Sequence, residues 1–303
     1  MAPRVVVPPL TVFAALFALV VATAAKPREA PGDAPVSPAA LTSQGDDGGD
    51  APAVVAEPPA PPRRVVKAAP AGTCPGGMVY VEGDECSEVE EPCLEWATEL
   101  PGTEVMRCLH FGPSRCTGKL THEKFCIDRY EYPNTRGALP WVMKSWEQAT
   151  TLCAARGRRL CTGSEWTLAC EGEERLPYPY GFDRDATACN IDRPLSGPFP
   201  RWVERQPRGV DVSLVDWRAP SGEMDRCVSP YGVHDMTGNV DEWVVNESGH
   251  PYASGLKGGY WGPVRDRCRP MTVAHDEKFT FYQIGFRCCA DAPAQPPRRG
   301  HGR

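Results

Sequence analysis

The sequence predicts an α+β domain held together by disulfides, and three observations predict it. Two segments carry helix-capping signals ahead of an apolar face. Several short runs alternate as strands do, set among glycines, prolines and aromatics. All 14 cysteines of the 303-residue chain fall between Cys74 and Cys289. An even, dense set of cysteines suits disulfides in an oxidising compartment. Zinc would need paired C-x-x-C units, and the sequence has none.

The elements follow in order. Gly76 to Gly83, "GGMVYVEG", reads as a strand bounded by glycines, with Met78 and Tyr80 on one face and Val79 and Val81 on the other. Residues 84–119 are acidic and irregular, and Cys86, Cys93, Cys108 and Cys116 mark them as a disulfide-stapled insertion. "KFCIDRYEY", Lys124 to Tyr132, returns to strand alternation. In "KSWEQATTLCAARGRRL", Ser145 caps a helix, Gln148 completes a capping box and Gly157 can end it. Thr162 and Glu165 form a second capping box, followed by the apolar face of Trp166, Leu168, Ala169 and Cys170. From Leu176 to Asp291 the chain is rich in Gly, Pro and aromatics, which predicts short strands and long loops. No internal repeat is visible.

The ends are different material. Residues 1–25 have the layout of a secretory signal peptide: one Arg, an apolar run from Val5 to Val21, then small residues. The other reading is an uncleaved anchor, but Pro8 and Pro9 break the run. Residues 26–72 are dominated by Pro and Ala and read as an extended linker, as does the tail 292–303. The folded domain is placed at 73–291, and after signal cleavage no membrane span remains. An exported location follows: periplasmic, cell-surface or secreted. Net charge is −6 with no basic stripe, which argues against nucleic acid as a partner.

One polar stretch asks for an explanation: "DMTGNVDEWV", Asp235 to Val244. Calcium takes six to eight oxygens from carboxylates and carbonyls. Asn239, the Val240 carbonyl and Glu242 would supply several from one loop, and Gly238 would let it turn. A tight turn with solvated acids is the other reading.

The motifs "MVYV", "FCIDRYEYPN", "SWEQATTLCAARGRRLCTGSEWTLACEG", "YPYG", "CNI", "YGVHDMTGNVDEW", "LKGGYW" and "IGFRCCAD" line up in one order. In that order and spacing the chain resembles the formylglycine-generating enzyme (sulfatase-modifying factor) family. The resemblance implies a variant of the C-type-lectin-like fold with little regular secondary structure. It implies structural calcium at Asn239, Val240 and Glu242. It also implies a second calcium site at Asn190 and Ile191, with Asp211 as a further carboxylate.

Family enzymes oxidise a substrate cysteine to formylglycine with oxygen and a copper(I) ion held by two thiolates, a soft pair suited to that ion. The corresponding segment here holds a single cysteine, Cys268. Counted forward from Gly259, Cys268 meets the second copper ligand and Pro263 the first. Counted back from Gly285, it falls one place from a family cysteine in an R-x-R-C context that forms a disulfide. The sequence reads "RDRC", which favours the second count. Tyr260 replaces the family's active-site Ser, and Asp241 its usual Trp. By the same resemblance, Cys153 pairs with Cys288 and Cys170 with Cys268. Cys161, Cys189, Cys227 and Cys289 have no family assignment, and the adjacent Cys288 and Cys289 should take different partners.

His275, beside Asp276 and Glu277, is a candidate base or metal ligand at the cleft, or a surface residue. Arg265, Arg267 and Arg269 could line the cleft for an anionic ligand, or lie on the surface. Two functions stay open. One is an oxidoreductase acting on a thiol or peptide with altered chemistry. The other is a calcium-stabilised module that binds a protein, peptide or small molecule.

Overall fold

The structure is a computed structural model that describes residues 74–97, 107–193 and 216–293. The signal-peptide and linker segments, Asp211 and nearly all of the tail lie outside these residues. Strand β1 (Met78–Cys86) pairs antiparallel with β6 (Leu120–Asp128) along its whole length, from Met78 opposite Asp128 to Cys86 opposite Leu120. The sequence reading ended the first strand at Gly83. The ladder carries it to Cys86, because the two chains stay in register beyond the glycine.

The insertion is more regular than its composition suggests. It contains β2 (Val89–Glu90), β3 (Cys93–Trp96), β4 (Cys108–Phe111) and β5 (Arg115–Cys116). Strand β2 pairs with β5, and β3 pairs with β4. The Cys86–Cys116 and Cys93–Cys108 bridges close these ribbons. They supply order that so little apolar burial could not.

Helix α1 (Trp146–Ala154) starts on Ser145 and helix α2 (Gly163–Glu171) on Thr162, each with a complete capping box. Gly157, at φ +66°, lies beyond the end of α1, whose cap is Ala155. The remaining strands are β7 (Arg159–Leu160), β8 (Asp241–Val245), β9 (Ser254–Lys257), β10 (Met271–Thr272), β11 (Ile284–Phe286) and β12 (Cys288–Asp291). One sheet runs β1-β6-β12-β7 and the other β10-β9-β8-β11. In the second, β8 is central, antiparallel to β9 and parallel to β11.

Trp166, Leu168, Ala169 and Cys170 of α2 are fully buried among Val81, Phe125, Ile127, Met236 and Val244. The helix therefore sits in the core, and its Trp166 faces β8. That contact brings the "DMTGNVDEWV" stretch to the middle of the domain.

Acidic side chains gather at the start of α2. The Ser164 amide and hydroxyl both donate to Glu247, at 2.9 and 2.8 Å. Glu123 of β6 lies nearby, with its buried Oε2 lacking a hydrogen-bond partner among the described residues. Burial first, and then the charges of Glu165, Glu247 and Glu85, push its carboxyl up to about 6. The folded state thus favours protonated Glu123. Its contribution to stability is lost as pH rises from the ordinary carboxylate value through about 6. We expect Glu123→Gln to raise the melting temperature at pH 8 and to leave it unchanged at pH 4. Equal shifts at both pH values in a thermal melt would refute this.

Candidate functional site

The loop before β8 turns through three residues in the left-handed region: Asp235 at φ +58°, Gly238 at +75° and Asn239 at +58°. Glycine is required at 238, because a Cβ there would collide with the Asn190 carbonyl. The Gly238 amide donates to Gly258 O at 3.1 Å, and the Asn239 amide to Asn190 O at 2.9 Å. The Asn239 side chain is fully engaged. Its Nδ2 donates to Glu131 at 2.7 Å and to Ala219 O at 3.2 Å. Its Oδ1 accepts from Asn190 Nδ2 at 3.0 Å and from the Ala219 amide at 2.8 Å. Asn239 and Asn190 are therefore brought together, beside the buried Val240 and Ile191.

Glu242 points elsewhere. Its two oxygens accept from Arg287, at 2.6 and 2.7 Å, and one also accepts from Trp166 Nε1 at 2.8 Å. The Glu242 and Arg287 side chains are each 1% exposed. Glu131 and Asp235 share this interior: Ser221 donates its hydroxyl to Glu131 at 2.5 Å, and the Gly222 amide donates to Asp235 at 2.6 Å. Burial pushes both carboxyls up, Asp235 to about 6, and the negative charge of Asp235 raises Glu131 further.

Three carboxylates here face one guanidinium. The oxygens of Asn239 and Glu242 are turned to protein donors. No group of three or more His, Cys, Asp or Glu among the described residues converges as a metal-binding set.

The cysteines are all paired. Cys170 is bonded to Cys268, with Cα atoms 5.5 Å apart, and Cys153 to Cys288 at 5.6 Å. The others pair as Cys161–Cys289, Cys189–Cys227 and Cys74–Cys126, in addition to the two bridges of the insertion. No cysteine is free, and Cys268 is fully buried. Tyr260 packs with Trp261, Val240 and Tyr282, and burial pushes its phenol up to about 12. Pro263 brings no thiol.

The cleft arginines are spent on acids. Arg265 pairs with Asp241 at 3.1 Å, Arg267 with Glu91 at 2.9 Å and Arg269 with Glu171 at 2.6 Å. None is left as an open anion site. His275 stacks on Phe279, with ring centroids 3.9 Å apart, and burial lowers its pKa. Glu131 and Arg287 had no role in the sequence reading, and Trp166 was read only as part of a helix's apolar face. Each lies in a motif it quoted, "YEYPN", "IGFRCC" and "SEWTLAC", but only the folded chain brings them to one point.

Removing one partner of a buried ion pair leaves an uncompensated charge and costs about 3–5 kcal/mol. We expect Arg287→Met to lose stability on that scale in chemical denaturation, and the double variant Arg287→Met with Glu242→Leu to recover much of it. Additive losses in the double-mutant cycle would refute the pairing.

Comparison with known proteins gives a consistent answer. Residues 74–292 match the family model described as a sulfatase-modifying factor enzyme 1-like domain. The chain is 29% identical over 167 residues to the inactive C-alpha-formylglycine-generating enzyme 2 of Bos taurus, covering 52% of each chain. It is 28% identical over 173 residues to the formylglycine-generating enzyme of Mus musculus, covering 50% of this chain and 44% of that one. The chain thus spans about half the length of the curated relatives it matches. Among solved structures, PvdO from Pseudomonas aeruginosa aligns with 17% identity and a TM-score of 0.43, over 71% of this chain and 94% of that one. With the family model matched from Cys74 into the last strand and beyond, this chain belongs to the sulfatase-modifying factor family, whose members include formylglycine-generating enzymes.

Proposed function

We propose that the chain is an exported, non-catalytic member of this family that works as a binding module. The observation that carries the reading is the state of the thiols. All 14 cysteines are half-cystines, and Cys268 is buried against Cys170. A disulfide sulfur is not a thiolate, so it can neither hold copper(I) nor attack. One relative of comparable identity is named an inactive enzyme and another a formylglycine-generating enzyme without that word. Overall similarity does not discriminate between them, and the paired thiols are what supports the non-catalytic reading. Seven disulfides support export. Among the described residues no helix is long and apolar enough to cross a membrane.

The test is a thiol titration on the denatured, unreduced protein, paired with oxygen consumption in the presence of copper(I) and a cysteine-containing peptide. We expect no titratable thiol and no turnover. A free Cys268 that takes up copper(I), or oxygen uptake that depends on the peptide thiol, would restore the oxidoreductase reading.

Calcium belongs to the same proposal. The support is the family resemblance of the "GNVDEW" stretch, together with the buried acids Glu131, Asp235 and Glu242 that gather beside it. Asn239, the Val240 carbonyl and Glu242, and at the second site Asn190 and the Ile191 carbonyl, would hold the ion; for that, Asn239 would have to release Asn190, Asn190 release Arg193, and Glu242 share its carboxylate with Arg287. An ion bound only by the folded state, at a hundredfold excess over its dissociation constant, adds about 2.7 kcal/mol of stability. We expect calcium to raise the melting temperature, and Glu242→Ala to abolish that response. A melting temperature indifferent to chelation would make the loop metal-free.

A further inference from the structure

Of the large apolar side chains exposed among the described residues, three follow one another on a single short segment. Leu139 is 48% exposed, Trp141 44% and Met143 43%. Beside them lies a shallow cavity of about 470 Å³ lined by Leu139, Pro140, Trp141, Val142, Lys144 and Arg218. Contiguous exposed apolar side chains of this kind are what interaction surfaces present.

The segment is held rigid from beneath. The Trp141 amide donates to Tyr132 O at 2.8 Å, and its ring stands edge-on to Tyr132, with centroids 5.0 Å apart. The Met143 amide donates to Phe281 O at 3.3 Å, and Trp243 Nε1 donates to Lys144 O at 2.8 Å. Val142 packs down onto the aromatic cluster around Tyr260 and Tyr282. Met143 sits at φ +59°, a conformation that costs a non-glycine residue energy and persists where its surroundings over-determine it. The exposed side chains are therefore presented by a fixed backbone, which lowers the ordering cost of binding.

The chemistry of the lining selects the occupant. Lys144 holds its ammonium 5.8 Å from the Trp141 ring centroid and makes no ion pair among the described residues. Arg218 is already held by Asp216 at 2.6 Å and by the Pro140 carbonyl at 2.5 Å. The lining has four apolar residues and two cations, with no carboxylate or amide side chain to meet sugar hydroxyls. An extended peptide points alternate side chains to one face, so an apolar residue can fill the cavity while a neighbouring acid meets Lys144.

We propose that Leu139, Trp141, Met143 and Lys144 form a docking surface for an extended, acidic segment of another polypeptide. It deepens, and rests on, the reading of the chain as a binding module.

The test uses the full chain and a fluorescein-labelled dodecapeptide of Pro-Leu-Glu repeats, read by fluorescence anisotropy, with a Pro-Leu-Gln peptide as control. Saturable binding to the Glu peptide is expected, at least about tenfold tighter than to the Gln peptide, and weakening as salt rises. Trp141→Ala should weaken it about tenfold or more, as loss of an aromatic anchor does. Leu139→Ser, a change at an exposed position, should weaken it in the same sense with an unaltered melting temperature. Lys144→Gln should erase the preference for Glu over Gln.

No saturable binding, equal affinity for the two peptides or an unaffected Trp141→Ala variant overturns the proposal. So does tighter binding of maltohexaose, or a Trp141-dependent dimer in sedimentation. A peptide result of either sign leaves the thiol titration untouched. Failure of the docking surface and failure of the non-catalytic reading are thereby told apart.

Discussion

The ion pair between Glu242 and Arg287 is the constraint on which the rest of the domain depends. It joins the central strand of one sheet to the link between β11 and β12, and so to the other sheet. Trp166 of the buried helix donates to the same carboxylate. Three parts of the chain, more than a hundred residues apart at the extremes, thus meet at one group. Charges so buried are tolerable only when fully bonded. Arg287 also donates to the carbonyls of Asp128 and His234, which spends most of its remaining hydrogens. The pair thereby fixes where β6, the loop before β8 and the last strand stand relative to one another.

Around that centre the disulfides act at a longer range. Cys153–Cys288, Cys161–Cys289 and Cys170–Cys268 each close a loop of roughly a hundred residues or more. All three tie a helix, or the strand between the helices, to the C-terminal third of the chain. Adjacent Cys288 and Cys289 point to opposite faces of β12, as successive strand residues must, and so reach α1 and β7's neighbour Cys161 separately. The segment around Cys268 is held as framework by its bond to Cys170. Its three arginines anchor it to Asp241, Glu91 and Glu171. A scaffold fastened in this way keeps the family's architecture while using its cysteines for cohesion.

The aromatic surface at Leu139 to Met143 is a product of the same packing. Val142 and the Trp141 backbone are pinned to the core, and the side chains of Leu139, Trp141 and Met143 stay largely exposed. Rigidity underneath and apolar exposure above are the combination that lets a surface bind without reorganising.

The sequence by itself determined a good deal. The capping boxes at Ser145 and Thr162 are local hydrogen-bond chemistry, so they could be read directly and occur as written. The family motifs, in order, specified the fold class. The cysteine count made a disulfide framework legible as a whole. Tertiary structure alone decided which groups meet. The carboxyl of Glu242 turns to Arg287 because a buried guanidinium is the strongest partner within reach, and no local pattern encodes a partner 45 residues away. The arginines of "VRDRCR" read equally well as a cleft or a surface, because charge pairing depends on which acids the fold brings near. The regular ribbons inside the insertion went unread for a related reason. Their order comes from Cys86–Cys116 and Cys93–Cys108, covalent links that composition announces but does not place.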